Sequence, residues 1–133
     1  MTTPPKSNLL VTMIDDEEVV HFIFQTIAKN ISGIDTAVYG DALTVLKLIE
    51  ENKFETDLIL LDINMPFMNG WDFLDALEPM NLNKPVVIVS SSRDRKDVEK
   101  SKQYKSVMGF YSKPLSFNNL REIIDSALLN NMN

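Results

Sequence analysis

Hydrophobic residues along this chain form short uninterrupted runs that alternate with stretches of helical periodicity. Four of the runs have the length of a β-strand, at residues 9–14, 58–61, 86–89 and 107–111. They lack regular polar alternation, which is typical of strands buried on both faces of a sheet. A fifth run, at 34–39, is less apolar and is predicted to be a strand nearer the edge of the sheet.

Between these runs the hydrophobic residues recur at helical spacing, which predicts five helices. The helix at 17–30 is apolar on more than one stripe, so we expect it to be buried against the sheet. The second helix is capped by Asp41, the third covers 71–80, and the fifth follows Ser116 with an apolar stripe over 120–128.

The predicted fourth helix, at 94–103, differs from the others because Val98 is its only large aliphatic residue. A helix that buries so little is loosely held and is therefore a candidate for movement.

Strict alternation of five strands with five helices predicts an α/β fold. Parallel pairing with right-handed crossovers places helices on both faces, which gives a three-layer, doubly wound, five-stranded sheet. We take the strand order to be 2-1-3-4-5, the flavodoxin-like (βα)5 arrangement, in which strands one and three are neighbours at the switch point.

The composition excludes several classes of protein. The chain has 133 residues, a common size for one domain, and no cysteine, so it has neither disulfides nor thiolate metal sites. A formal net charge of -6 argues against nucleic-acid binding, since a phosphate backbone requires a basic face. No apolar run approaches the ~20 residues that span a bilayer, so no membrane interaction is expected. We expect a cytoplasmic protein with a flexible tail at 1–7 and a single domain at 8–133.

Polar side chains follow four of the predicted strands where each strand ends. Asp15 and Asp16 follow strand one, Asp62 follows strand three, Ser90 follows strand four and Lys113 follows strand five. All strand-to-helix loops of such a sheet lie on one edge, where open α/β sheets bind ligands. These side chains are therefore expected to share one site.

The expected site has the groups that phosphoryl transfer needs. Three carboxylates repel one another, and Mg²⁺ with oxygen ligands offsets that repulsion. Lys113 adds a positive charge and Ser90 a hydroxyl donor, which suits the equatorial oxygens of a phosphoryl group. One carboxylate, Asp62, remains free to attack the phosphorus and form an aspartyl-phosphate.

Each motif alone has a simpler interpretation. Acids at 15–18 are favoured at a helix N-terminus by the helix dipole. Ser90 lies in a serine triplet, and the Lys113-Pro114 pair is typical of a turn. His21 is assigned no role, and Trp71 is interpreted as a packing residue. The recurrence of polar residues at four strand ends favours the shared site.

The set of motifs resembles the response-regulator receiver domain of two-component signalling, of the CheY-like type. The paired acids Asp15-Asp16, the stretch 62–66 (DINMP) with Asn69-Gly70 behind it, Ser90, and Lys113-Pro114 follow the family's order and spacing. The resemblance covers nearly everything from residue 9 to residue 129.

The resemblance implies a role for each site residue. Asp62 is the phospho-acceptor, and the Mg²⁺ ligands are Asp15, Asp16, Asp62 and the backbone carbonyl of Asn64. Ser90 and Lys113 bind the phosphoryl group, and the Lys113-Pro114 bond is typically cis in relatives.

The chain departs from many relatives at two positions. Phe110 stands at the aromatic switch position, where a tyrosine hydroxyl is common, and Ser91 replaces a smaller residue beside Ser90. The resemblance also gives Asn64 and Glu18 an influence on how long the phosphate persists.

The function implied is a phosphorylation-activated switch with no output domain, which is not an enzyme toward outside substrates. Its partners are a sensor histidine kinase or a histidine phosphotransfer protein, and it is a monomer or a phosphorylation-dependent dimer. The expected output face is formed by the helix at 94–103, the last strand and the last helix. An alternative is a phosphorelay intermediate that passes the phosphate to a histidine carrier.

Three other functions are disfavoured by specific residues. An aspartyl-phosphate hydrolase usually carries a second Asp two residues after its nucleophile, and here that residue is Asn64. A flavin carrier needs a phosphate-cradling loop after strand one, where the acids at 15–18 would repel the phosphate. A receiver that works without phosphorylation is disfavoured because no site residue is missing.

Overall fold

The structure, a computed structural model, describes residues 8–131, and side chains through residue 129. The predicted tail at 1–7 lies outside the described residues. The strands are β1 (Leu9–Ile14), β2 (Ile34–Tyr39), β3 (Leu58–Leu61), β4 (Val86–Ser90) and β5 (Val107–Ser112). The helices are α1 (Glu18–Ala28), α2 (Ala42–Glu50), α3 (Gly70–Leu77), α4 (Arg95–Ser101) and α5 (Phe117–Asn131), with a 3-10 turn at Glu78–Met80.

The five strands form one parallel sheet in the order β2-β1-β3-β4-β5. This confirms the predicted flavodoxin-like fold, including β2 at the edge. Among the described residues, no helix has the length and apolar character needed to cross a membrane.

Two hydrophobic cores lie on the two faces of the sheet. Side chains of β3 alternate between them, because Leu58 and Leu60 face one core and Ile59 and Leu61 face the other. The first core packs against α1 and α5, and the second against α2 and α3. Two buried faces explain why β3 shows no polar alternation.

The helix ends follow the predicted caps. The Asp41 carboxylate accepts a hydrogen bond from the backbone N–H of Thr44, which caps α2. The hydroxyl of Ser116 accepts one from the N–H of Asn119 at the start of α5. At the start of α3, Asn69 and Asp72 form a reciprocal capping box.

The helix at 17–30 was expected to be buried against the sheet because it is apolar on more than one stripe, and its position against the sheet is confirmed. Only one stripe of α1, which includes Val20, Phe24 and Ala28, packs against the sheet. Val19 and Phe22 point outward and are 59% and 69% exposed. One helix in the outer layer of the fold needs a single apolar face, so its other hydrophobic residues remain at the surface.

The third helix and the apolar stripe of the fifth helix are shorter than expected. The third helix was expected to run over 71–80, but α3 ends at Leu77 and the chain continues as the 3-10 turn that contains Pro79. The apolar stripe of α5 was expected to reach Leu128, which is 43% exposed. That stripe ends at Ala127, the last buried residue described in α5.

The start of α3 lies very close to the chain that leaves β3. A Cβ atom at Gly70 would lie 2.7 Å from the backbone oxygen of Asp62 and 2.7 Å from the Cα of Ile63. The N–H of Gly70 also donates a hydrogen bond to the carbonyl of Ile63, at 3.0 Å. Only glycine permits this approach, which fixes the loop that follows Asp62 against α3.

We expect Gly70→Ala to lower the free energy of unfolding by about 2–3 kcal/mol, because the new methyl group would clash with backbone atoms that cannot rotate away. Gly40→Ala is the matched control, since a Cβ atom there meets nothing within 4 Å. Urea denaturation of both variants is the measurement. Equal stability of the two variants would contradict the close approach at Gly70.

Candidate functional site

The register of β1 and β3 brings two carboxylates together. Ile14 pairs with Leu61, so Asp15 and Asp62 leave neighbouring strands side by side. The N–H of Asp62 donates to the carbonyl of Ile14 at 3.0 Å, which extends the ladder to this point. Both carboxylates are buried, with Asp15 1% and Asp62 3% exposed.

Asp16 completes an acidic cluster at this edge of the sheet. One carboxylate oxygen from each of Asp15, Asp16 and Asp62 lies within 4.8 Å of the others, and Asp16 is the exposed member. The cluster lies at the edge of the sheet where the strand ends predicted it. It is open to solvent at Asp16.

Lys113 reaches this cluster from β5. Ser90 pairs with Ser112 in the β4–β5 register, and the N–H of Lys113 donates to the carbonyl of Ser90 at 2.9 Å. The Lys113 Nζ then lies 2.7 Å from Asp15 Oδ2 and 3.4 Å from Asp62 Oδ2. The peptide bond between Lys113 and Pro114 is cis.

Burial dominates the electrostatics of Asp62. Removal from water raises its pKa above the ordinary value of 3.8, whereas a hydrogen bond from the N–H of Asn64 lowers it. The negative charge of Asp15 raises the pKa further and the ammonium of Lys113 lowers it. The net shift is upward, so the lysine only partly offsets the cost of the buried charge.

The ammonium of Lys113 is stabilised in its charged form. Burial alone would lower its pKa, but the hydrogen bond to Asp15 raises it, as do the charges of Asp15, Asp62 and Glu17. The pKa of Lys113 is therefore above its ordinary value. This arrangement therefore holds a positive charge next to the carboxylates.

Ser90 is the buried hydroxyl of the site. Its oxygen accepts a hydrogen bond from the N–H of Ser92 at 3.1 Å, and the side-chain amide of Asn64 lies at 3.5 Å as a second, long donor. With donors on its lone pairs, the Ser90 hydroxyl keeps its own proton for an acceptor. An anionic oxygen bound beside Asp62 would be such an acceptor.

A chain of hydrogen bonds leads from Ser90 to α4. The hydroxyl of Ser92 donates to the carboxylate of Asp97 in the first turn of α4, at 2.5 Å. The same hydroxyl accepts from the N–H of Asp94, which is 3.2 Å away. A change in the position of Ser90 is thereby connected to the N-terminal end of α4.

His21 is part of the site's framework, although the sequence analysis gave it no role. Its Nε2 lies 2.6 Å from the backbone oxygen of Asp15, so this nitrogen donates the hydrogen bond. The Asp15 carboxylate also accepts from the N–H of Glu17 at 2.9 Å. The polar groups of Asp15 are thus held from several directions, and no sequence pattern indicated the hydrogen bond from His21.

Two predicted site features stay predictions. Phe110 is half-buried and packs against the second core, on the face of the sheet that holds α2 and α3. Asn64 is exposed in the loop between β3 and α3, and its N–H, 3.2 Å from Asp62 Oδ1, is held close to the acid. Its backbone carbonyl as a metal ligand and Phe110 as a switch residue are proposals.

The donor set of the cluster fits Mg²⁺. The cluster offers carboxylate oxygens, the hard ligands that Mg²⁺ prefers, with no histidine or cysteine among them. One exposed member leaves room for the waters that this ion usually keeps. Asp15, Asp16 and Asp62 are therefore suitable residues to hold it.

Comparisons with known proteins agree with the geometry. A family model described as "Response regulator receiver domain" matches residues 11–125. The chain is 30% identical over 113 residues to the two-component response regulator ARR10 of Arabidopsis thaliana, and the match covers 85% of this chain. That match spans only 20% of the length of the Arabidopsis protein, and a similar match spans 16% of the rice regulator ORR22.

Solved structures share the fold over most of their length. A two-component response regulator from Cytophaga hutchinsonii is 27% identical, with a TM-score of 0.81 and coverage of 92% of this chain and 98% of that one. The Francisella response regulator 1452 receiver domain is 28% identical, with a TM-score of 0.78 and coverage of 93% and 99%.

Replacing Asp62 with Asn tests the cost of the buried charge. Between the ordinary pKa of 3.8 and the raised one, the folded chain binds more protons than the unfolded chain. The free energy of unfolding therefore falls as the pH rises through that window, and the ionised carboxylate opposes folding at neutral pH. In urea denaturation without divalent cations, we expect Asp62→Asn to raise the free energy of unfolding at neutral pH by on the order of 1 kcal/mol.

The gain is expected to disappear below pH 3.8, because Asp62 is then protonated in both states. Asp125→Asn is the matched control, since it removes the same charge from an α5 side chain that is 60% exposed. Its stability is expected to change by less than about 0.5 kcal/mol. A destabilised Asp62→Asn at neutral pH would show that the lysine outweighs the burial.

Proposed function

The chain belongs to the response regulator receiver domain family, and we propose that it is a signalling switch in which Asp62 accepts a phosphoryl group. One observation carries the proposal: a buried carboxylate lies at a strand end, 3.4 Å from the Nζ of Lys113 and within 4.8 Å of two further carboxylates. Members of this family are signalling switches of two-component systems. The proposal also covers the class of protein that donates the phosphoryl group to this chain.

The covalent step is an in-line substitution at phosphorus. A lone pair on an Asp62 oxygen forms the new O–P bond, and the bond between phosphorus and the donor breaks with its electron pair going to the leaving group. The leaving group is the imidazole nitrogen of a phosphohistidine, or acetate when acetyl phosphate is the donor. No proton has to leave Asp62, because the attacking carboxylate is ionised.

Side chains around Asp62 have separate tasks in this step. Lys113 supplies positive charge to the transferred group, and Ser90 donates a hydrogen bond to one of its oxygens. Asp15 fixes the Lys113 ammonium at 2.7 Å, so the charge is already in place before the phosphoryl group arrives. Asp15, Asp16, Asp62 and the carbonyl of Asn64 would hold Mg²⁺, which would supply positive charge to offset that of the carboxylates and of the phosphoryl group.

The signal is proposed to leave through the face formed by α4, β5 and α5. Ser90 moves its hydroxyl toward the phosphoryl group, which alters its bond with Ser92 and the link from Ser92 to Asp97. Phe110 on β5 is proposed to change its packing in the same step. A preference of a few kcal/mol for one of two arrangements is sufficient to change the populations.

The partners are proposed by chemical class. A sensor histidine kinase or a histidine phosphotransfer protein is the donor, and a protein target reads the output face. A phosphorelay intermediate, which returns the phosphate to a histidine carrier, uses the same site. Catalytic turnover is disfavoured because Asn64, next to the nucleophile, has no proton-transfer group. The receiver domain is proposed to extend over 8–133, and the chain alone is proposed to be a monomer or a phosphorylation-dependent dimer.

Phosphorylation is tested by incubating the protein with acetyl phosphate and Mg²⁺ and measuring the intact mass. We expect one added phosphoryl group in the wild type and none in Asp62→Asn, since the amide is not a nucleophile. Asp125→Asn is the control, because it removes an exposed carboxylate of α5 that is distant in sequence from Asp62. This variant is expected to gain the phosphoryl group. An unchanged mass in the wild type, or the same added mass in Asp62→Asn, would refute the assignment of Asp62.

Metal binding is tested by the thermal midpoint. Mg²⁺ binds the folded acidic cluster and not the unfolded chain, so the free energy of unfolding rises by about 2.7 kcal/mol at a concentration one hundred times Kd. We expect the midpoint of the wild type to rise with Mg²⁺ and that of Asp16→Asn to respond much less. Because Asp16 is exposed, this variant is expected to leave the core intact.

Asp125→Asn again serves as the control in the metal titration, with a midpoint shift equal to that of the wild type. If millimolar Mg²⁺ leaves the wild-type midpoint unchanged, the acids at 15 and 16 are not ligands. An equal shift in the wild type and in Asp16→Asn would remove Asp16 alone from the ligand set.

A further inference from the structure

Basic residues are concentrated on and around α4. Residues 93–105 hold six of the chain's 13 basic residues and three of its 19 acidic residues, so this segment carries +3 and the rest of the chain -9. All six basic side chains are exposed. Together they form what we call the basic surface: Arg93, Arg95, Lys96, Lys100, Lys102 and Lys105.

The acids in the same segment are engaged within the chain. Asp94 accepts from the N–H of Lys96, and Asp97 accepts from the hydroxyl of Ser92. Glu99 pairs with Lys102 at 3.4 Å. Within residues 8–129, whose side chains the structure describes, no ion pair involves Arg93, Arg95 or Lys96. Their charges are therefore available to another molecule.

The packing of α4 gives little reason for its composition. Ser101 is its only buried residue. A stacked pair of rings holds its C-terminal end, with the Trp71 and Tyr104 centroids 5.8 Å apart and the planes inclined by 19°. The Tyr104 hydroxyl also lies 2.8 Å from the carboxylate of Asp75 on α3. The outer side chains of α4 make no contribution to the core, and what they present to solvent is positive charge.

We propose that the basic surface is a docking site for an acidic segment of a partner protein. Complementary charge is the argument, since the exposed cations concentrated on this face of a chain of net charge -6 attract an anionic segment. The seven residues of α4 span only about 10 Å at 1.5 Å per residue, which suits a short acidic helix or strand. The surface lies on the proposed output face, so its control by phosphate rests on the proposed function.

A protein segment is favoured over a nucleic acid or a second copy of this chain. A long polyanion would extend from α4 onto a molecule that carries -9 outside the segment and would be repelled there. A second copy would bring together two chains that each carry a net charge of -6, and their repulsion disfavours self-association. The occupant is therefore a separate protein with a short acidic stretch.

The only tryptophan of the chain is a reporter for this surface. The Nζ of Lys100 lies 4.8 Å from the centre of the Trp71 ring, so a ligand that binds Lys100 changes the surroundings of the indole. The probe is a short capped peptide of alternating alanine and glutamate, titrated into the full chain. Calorimetry supplies a second measurement of the same binding.

The test variant is Arg93→Glu with Arg95→Glu and Lys96→Glu, which leaves Lys100 beside the tryptophan. Lys29→Glu with Lys47→Glu and Lys53→Glu is the matched control, because it makes the same change in net charge at exposed lysines outside the basic surface. A version of the test variant with glutamine at the three positions removes the charge without reversing it.

We expect the test variant to bind the peptide about tenfold or more weakly than the wild type, with the glutamine version intermediate. The control is expected to stay within about twofold of the wild type. Binding should weaken between about 0.1 M and 1 M salt, as the screening length falls from about 10 Å to 3 Å. Circular dichroism checks that all variants are folded.

Four results would overturn the proposal. They are no binding of the peptide, an equal loss in the test and control variants, tighter binding of a short single-stranded DNA than of the peptide, and self-association in sedimentation that the test variant abolishes. Repeating the titration after acetyl phosphate treatment separates the two proposals. If acetyl phosphate and Mg²⁺ add no phosphoryl group to a protein that still binds the peptide, the basic surface stands and the proposed function is refuted.

Discussion

The interaction on which the site depends is the contact between Lys113 and two buried carboxylates. Asp15 and Asp62 would repel each other strongly in their shielded position, and the ammonium, 2.7 Å and 3.4 Å away, makes their coexistence tolerable. The compensation is incomplete, because the pKa of Asp62 remains raised by burial. The buried acid is therefore short of compensating positive charge, which agrees with the proposed binding of Mg²⁺ and of a phosphoryl group.

This contact in turn depends on the register of the sheet. Asp15 and Asp62 are neighbours because Ile14 pairs with Leu61, and Lys113 arrives because Ser112 pairs with Ser90. A shift of one residue in either pairing would exchange the faces of the side chains. The alternation of β3 between two cores resists such a shift, so the hydrophobic packing of the domain also sets the positions of the charges.

The strand ends and the polar residues that follow them were predictable from the sequence, because continuous apolar runs indicate buried strands. The carboxyl ends of parallel strands lie at one edge of the sheet, so the polar residues that follow them share that edge. The fold and the convergence of Asp15, Asp16, Asp62 and Lys113 follow from that rule. The role of His21 was not predictable, since a hydrogen bond to the backbone of Asp15 depends on a rotamer that no pattern encodes. The exposure of Phe22 was also missed, because the sequence of a helix with two apolar stripes does not indicate which stripe faces the sheet.

The close approach of Gly70 to the backbone of Asp62 makes the two sides of the site unequal. On one side, α3 begins in direct backbone contact with the acid's loop, and no side chain can yield there. On the other side, Ser90 is followed by a helix with a single buried residue. Asp62 therefore lies between a tightly packed boundary at α3 and a lightly packed one at α4, so the resistance to a displacement of this acid is unequal on its two sides.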